Sequence, residues 1–264
     1  MAGGSKRRRR NLMGWFGLFI FLSGLYLLLY PFLWGGVVDR DIRNNAQLFL
    51  NREGAVPAEQ TSFVGSAIET TEPEETRPYP ELWADMTTYN TNIFTHGQAG
   101  LTCAYDYQVP SFRLSDYGLT SEVFGAISIP RINLEMPIFL GATDANMAAG
   151  AAVLSQTSLP IGGENTNSVI AGHRGYNGAS YFRYIPDLQI GDEVIITNLW
   201  ETLTYRVSET KIIAPDEVTE ILIQEGKDLV TLLTCHPYAS GGRQRYLVIC
   251  ERVHGDTEGM LISK

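Results

Sequence analysis

From Leu12 to Trp34 the chain is apolar throughout, with no ionisable acid or base. A helix of these residues would be about 34 Å long, enough to cross the hydrocarbon core of a bilayer with some tilt. Trp15 near one end and Tyr30 and Trp34 near the other suit its two interfaces. A run of basic residues, Lys6 to Arg10, comes immediately before. The positive-inside rule puts that run in the cytoplasm and everything after Trp34 outside. The rival reading is a cleavable signal peptide. Its apolar region would be shorter, roughly 7–15 residues, with a small-residue cleavage site after it. The stretch here is longer and runs into Gly35-Gly36-Val37-Val38 without an Ala-x-Ala pattern.

The pattern then changes period. Val38, Ile42, Ala46 and Leu50 recur at four-residue steps, with Asp39, Arg40, Arg43 and Asn44 between them, which predicts a helix over 37–53. Gly54 closes it and Pro57 discourages continuation. Residues 55–80, rich in Thr, Glu and Pro, read as an exposed linker. Leu82, Met86, Tyr89 and Ile93 share one face of a second helix, Glu81 to Phe94. The loop-like stretch from His96 to Tyr117 carries Tyr105, Tyr107, Phe112 and Tyr117, so it is expected to pack onto something.

From Val123 onward short strand-like runs dominate: Phe124–Ile129, Ile132–Phe139, Ser168–Ala171, Glu193–Thr197, Thr202–Ile213, Leu229–Cys235 and Arg245–Glu251. Turn signals at Pro130, Gly162-Gly163, Gly191-Asp192 and Gly241-Gly242 separate them. Leu203, Tyr205 and Val207 alternate with Thr204, Arg206 and Ser208. Many short strands at this spacing favour a closed β barrel or a sandwich over a βαβ fold.

Composition narrows the function classes. The chain has 264 residues, 44% of them hydrophobic and 19% charged, enough for one sizeable core and too apolar for a disordered protein. The net charge of -9 includes the basic tail, so the body is more acidic still, which argues against nucleic acid as a partner. Three cysteines rule out a disulfide scaffold and fall short of a four-cysteine zinc site. No cluster of residues suggests a metal, and no cofactor is expected.

Chemistry concentrates at the ends of strands. In Thr231-Leu232-Leu233-Thr234-Cys235-His236-Pro237 an apolar strand delivers a cysteine to its end, and Pro237 stops the ladder. Such a thiol would be rigidly held yet reachable, as a nucleophile needs to be; a small buried hydrophobe is the plainer reading. In Ala171-Gly172-His173-Arg174-Gly175 a strand ends on a histidine flanked by glycines, placed to give or take a proton near neutral pH, or simply to cap a turn. Arg243-Gln244-Arg245 leads into the last strand, where a guanidinium beside a thiolate would favour its charge and donate to an oxyanion. Spacing alone does not assemble the three.

The segment Thr231 to Arg252 resembles the TLxTC signature and following arginine strand of sortases. Ser158-Leu159-Pro160-Ile161-Gly162-Gly163-Glu164-Asn165, running into Gly172-His173-Arg174-Gly175, resembles the pilus-specific class C sortases of Gram-positive bacteria. The likeness extends over roughly residues 81–253. It implies a mainly β fold, a closed eight-stranded sortase-type barrel with short helices, preceded by a transmembrane helix and a helical, lid-like region. It also implies Cys235 as nucleophile, His173 as proton carrier and Arg245 as the arginine, with Arg243 as the substitute. The implied reaction cleaves an LPxTG-like sorting signal between Thr and Gly and passes the acyl group to a pilin lysine. Partners would be pilin or surface-protein precursors and an amine acceptor, at the membrane. A housekeeping sortase that uses a peptidoglycan amine, or a non-catalytic assembly scaffold, are the alternatives.

The expected plan is a cytoplasmic tail at 1–11, an anchor at 12–34, an extracellular helical and lid-like region at 35–120, the barrel at 121–256 and a tail at 257–264. Class C lids carry an Asp-Pro-aromatic motif, whereas the matching place here is Cys103-Ala104-Tyr105. Tyr105 keeps the aromatic, and Asp106 would reach the arginine in a shifted register. Cys103 would either approach Cys235 to form a reversible disulfide or stand as an ordinary loop cysteine. Many class C members carry a second span; here the sequence after the barrel is a short mixed tail. His236 would point away from the side chain of Cys235, and Cys250 reads as packing. His96 and His254 lie in loop and tail contexts and receive no role.

Overall fold

The computed structural model describes residues 4–51, 77–98, 101, 109–176 and 178–253, with backbone alone described at 4–14 and 31–32. Eight strands form a closed barrel: β1 (Val123–Ile129), β2 (Leu134–Leu140), β3 (Ala151–Val153), β4 (Thr166–Ala171), β5 (Glu193–Thr197), β6 (Thr202–Ile213), β7 (Asp228–His236) and β8 (Gln244–Arg252). Their order around the barrel is β1-β2-β3-β4-β7-β8-β6-β5. The β2–β3 and β4–β7 pairs are parallel and all the others antiparallel. Closure leaves no free sheet edge.

Two strands depart from the pattern-based reading. Pro130 to Ile132 form a short 3-10 helix and Asn133 adopts a left-handed conformation, so β2 starts two residues later than the apolar run. The three-residue β3 is too short and alanine-rich to announce itself. The alternation at 202–208 holds: Leu203, Tyr205 and Val207 face inward, and a bulge between Val207 and Glu209 then re-aims the rest of β6.

The barrel interior is filled by residues such as Phe124, Ile127, Ile138, Val194, Ile196, Tyr205, Val230, Leu232 and Val248. A second apolar cluster covers the outside of one wall, where Met147, Leu154, Ile213 and Ile221 pack on Val169, Ala171, Leu233 and Leu247. Strands β4 and β7 are therefore buried on both faces. That explains why Val169-Ile170-Ala171 in β4 and Leu232-Leu233 in β7 are apolar in succession, without alternation.

Helix α1 runs without interruption from Gly4 to Leu50, so the apolar segment and the 37–53 segment are one helix. Gly35 does not break it. It is buried where the helix approaches the backbone of Gly178 so closely that no side chain would fit. Beyond it, Ile42 and Ala46 are buried on the barrel wall beside β1 and β2. The stretch beginning at Trp15 has a mean hydropathy of 2.0 and is long and apolar enough to cross a membrane. Helix α2 (Pro80–Thr95) packs with Leu82 and Met86, and the Asn90 amide exchanges two hydrogen bonds with the backbone of Leu159. Helix α3 (Asp144–Ala149) is a short turn between β2 and β3.

Candidate active site

Pairing between β4 and β7 builds one half of the site. Their parallel register sets Ala171 against Leu233, so two residues further on His173 and Cys235 leave neighbouring strand ends. Adjacent strands are spaced by about 4.8 Å, which brings the two side chains to one mouth of the barrel. Side bonds pin this edge. Gly172 N–H donates to the carbonyl of Leu233 at 3.0 Å, and the buried Thr234 hydroxyl donates to the carbonyl of Gly172 at 2.7 Å. Lower down, Thr231 Oγ1 donates to Asn167 Oδ1 at 2.9 Å, and the Asn167 amide donates to the carbonyls of Ile221 and Leu222. Both threonines before the cysteine are thus cross-strand ties.

Pairing between β7 and β8 builds the other half. Cys235 lies directly opposite Arg245, and opposed residues project to the same face. A methyl group placed on Gly242 would lie 3.0 Å from Arg245 Nη1 and 3.3 Å from Cys235 Sγ, so sulfur and guanidinium converge on the space this glycine leaves open. Arg245 is only 8% exposed, and its Nη1 donates to the carbonyls of Gly242 and Gln244 at 2.6 and 3.1 Å. Arg243 is exposed.

His173 is half-buried against its own loop. Its ring stacks on Tyr176 at 4.5 Å and meets the edge of Tyr181 at 5.6 Å. The backbone carbonyl of His173 accepts from Phe182 N–H at 2.8 Å. Gly172 has no room for a side chain, because a methyl group there would lie 2.7 Å from the Phe182 ring. Burial lowers the basicity of the imidazole below its ordinary value, partly opposed by the negative charge of Asp144.

Sequence reasoning did not anticipate the Arg174–His236 pair. Arg174 Nη1 donates to His236 Nδ1 at 2.6 Å and to the carbonyl of Cys235 at 3.3 Å. An arginine can only donate, so His236 accepts at Nδ1 and is held neutral, and both desolvation and Arg174 lower its basicity. The two residues stand directly after His173 and Cys235, and that adjacency was the available signal. Cys250 is fully buried in β8, which pushes its thiol pKa far up. His96 ends α2 with Nδ1 bonded to the carbonyl of Asn92. The expected lid residues Cys103, Tyr105 and Asp106, the Cys103–Cys235 pairing and His254 lie outside the described residues. No group of metal-ligating side chains occurs among the described residues.

A sortase domain family model matches residues 127–253. Sortase D of Bacillus subtilis is 30% identical over 136 residues, which are 51% of this chain and 66% of that protein. The chain thus spans just under two thirds of that curated relative's length. Among solved structures, sortase C-1 of Actinomyces oris is 32% identical with a TM-score of 0.59, over 67% of this chain and 98% of that one. Sortase C of Clostridium perfringens, solved with the C-terminal cell wall sorting motif, is 36% identical with a TM-score of 0.56, over 70% of this chain and 92% of that one.

Proposed function

The chain belongs to the sortase family, and from that membership we propose that it is a membrane-anchored cysteine transpeptidase of the class C type, which joins pilin subunits. The observation that carries this reading is the register of β4, β7 and β8, which gathers His173, Cys235 and Arg245 at one barrel mouth. Cys235 attacks the Thr–Gly carbonyl of an LPxTG-like signal, and its proton passes to His173. The Arg245 guanidinium faces the oxyanion of the tetrahedral intermediate. His173 then protonates the leaving glycine amine as the C–N bond breaks, leaving a thioester on Cys235. An incoming lysine amine attacks the thioester, gives its proton through His173, and releases the thiol with an isopeptide bond formed. The thioester divides one difficult amide exchange into two easier steps and keeps the acyl group activated without ATP.

Helix α1 supports the anchoring part of the proposal. Its apolar stretch has no buried side chain across an 18-residue window, as expected of a surface covered by lipid. The basic run before it orients the barrel outward. In the test, the full chain in detergent micelles is mixed with a pilin subunit bearing an LPxTG motif and followed by intact mass. A thioester adduct on Cys235 that is absent in Cys235→Ala, followed by pilin dimers joined through lysine, is the expected result. An adduct released only to a peptidoglycan stem peptide would replace the pilin reading with the housekeeping one. Pilin joining that survives in Cys235→Ala would overturn the enzymatic reading.

A further inference from the structure

The loop that carries His173 is gripped from outside the barrel. Ser180 donates two hydrogen bonds to the Asp39 carboxylate of α1, from its backbone N–H at 2.7 Å and from its hydroxyl at 3.2 Å. One turn earlier on α1, Gly35 rests on the backbone of Gly178 in the same loop. The residue after Ser180 is Tyr181, whose φ of 43° lies in the left-handed region that a bulky side chain adopts only at a cost. Its ring edge meets His173, and its hydroxyl donates to the carbonyl of Ala148 at 2.7 Å. Phe182 follows and donates its N–H to the carbonyl of His173.

We propose that Asp39 is a positioning residue: by holding Ser180 at two points it keeps Tyr181 in its left-handed conformation, and the Tyr181 ring in turn fixes the His173 imidazole. The inference rests on the role given to His173 above. Both carboxylate oxygens are spent on one residue, a charge-assisted, two-point contact of the kind that fixes orientation. Among the described residues, the other polar contacts of this part of α1 lie elsewhere. Arg43 donates to the carbonyl of Asn133 at 3.0 Å and Gln47 donates to Glu135 at 2.7 Å, both at the start of β2. These dock the helix without touching the histidine loop. The titratable and charged groups around His173 are Arg174, Tyr176 and Tyr181 from its loop, Asp144 from α3, Cys235 from β7 and Arg245 from β8, with Asp39 beyond Tyr181.

The experiment compares Asp39→Ala, Asp39→Asn and Arg43→Ala in the full chain in detergent micelles. Turnover of a synthetic LPxTG peptide is measured alongside the ring proton resonances of His173, assigned with His173→Gln. Asp39→Ala is expected to lower kcat about tenfold with KM within twofold, and to shift the His173 resonance and move its titration up towards the ordinary value near 6.5. Asp39→Asn keeps an acceptor for Ser180 N–H and should recover most of the rate. Arg43→Ala should leave both readouts within twofold of the native chain. Unchanged kcat and an unchanged His173 resonance in Asp39→Ala would overturn the proposal, as would an equal loss in Arg43→Ala. If the native chain fails to turn over the peptide, the proposed function falls, and the resonance arm still decides whether Asp39 positions the ring.

Discussion

Cys235 and His173 stand at the ends of neighbouring strands, yet they are held in different ways. Cys235 is still in a ladder: β7 is paired with β4 as far as Leu233 and with β8 through Cys235 itself, and Arg245 is placed by that same register. His173 has left its strand. Its position depends on two tyrosine rings, a bare Gly172, one backbone bond and, through Ser180, a helix outside the barrel. Ladder geometry is over-determined by many bonds, whereas a loop of this kind keeps its shape only while each contact is made. The side that holds His173 is therefore the adjustable side, and the side holding the thiol is the fixed one.

The largest test of that contrast is on the fixed side. Arg245→Lys retains a positive charge but loses the planar fork held by the carbonyls of Gly242 and Gln244. It should lower kcat for LPxTG peptide cleavage by about 10²–10³-fold with almost no change in Tm. A near-native rate would show that charge alone suffices there.

On the adjustable side, Gly172→Ala drives a methyl group into the Phe182 ring. The expected cost is about 1–3 kcal/mol of stability by thermal or urea unfolding, with a fall in rate because the ring must move and the carbonyl of His173 moves with it. A fall in rate without any loss of Tm would mean that the loop absorbs the group freely.

The smallest effect concerns pH. His173 and His236 both have depressed basicity in the fold, through burial and, for His236, through Arg174. The unfolded chain then binds more protons than the folded one from about pH 6.5 downward to the depressed values. The stability these groups contribute is complete above that range and declines as pH falls through it. His236→Gln should remove part of the decline in Tm between pH 7 and 5 while leaving peptide cleavage within about threefold of native. A cleavage loss as deep as that of His173→Gln would assign the proposed proton-carrying role to His236 instead.

Much of this was legible in the sequence where a single strand decided it. The runs at Glu193–Thr197 and Thr202–Ile213 coincide with β5 and β6, since alternation and flanking turns define both ends. The eight-stranded sortase-type barrel was legible through the resemblance of the residues around Cys235, His173 and Arg245. Contacts between distant segments were not. Asn90 with Leu159, Asp39 with Ser180 and Arg174 with His236 are polar pairs whose residue types fit solvent equally well. The anchor at 12–34 and the helix at 37–53 read as separate segments, whereas α1 is continuous through them and close approach to Gly178 requires the small residue at Gly35.

The strand order carries a consequence for timing. β8 comes after all the other strands in the chain yet sits between β7 and β6, so the barrel closes only when it is inserted. Arg245 arrives with it. Until β8 pairs with β7, Cys235 has no guanidinium opposite it and the wall that fixes the sulfur is incomplete. Long-range closure of this kind is slow compared with local folding. The thiol and the guanidinium thus come together in the same step that closes the barrel, and neither strand alone assembles the pair.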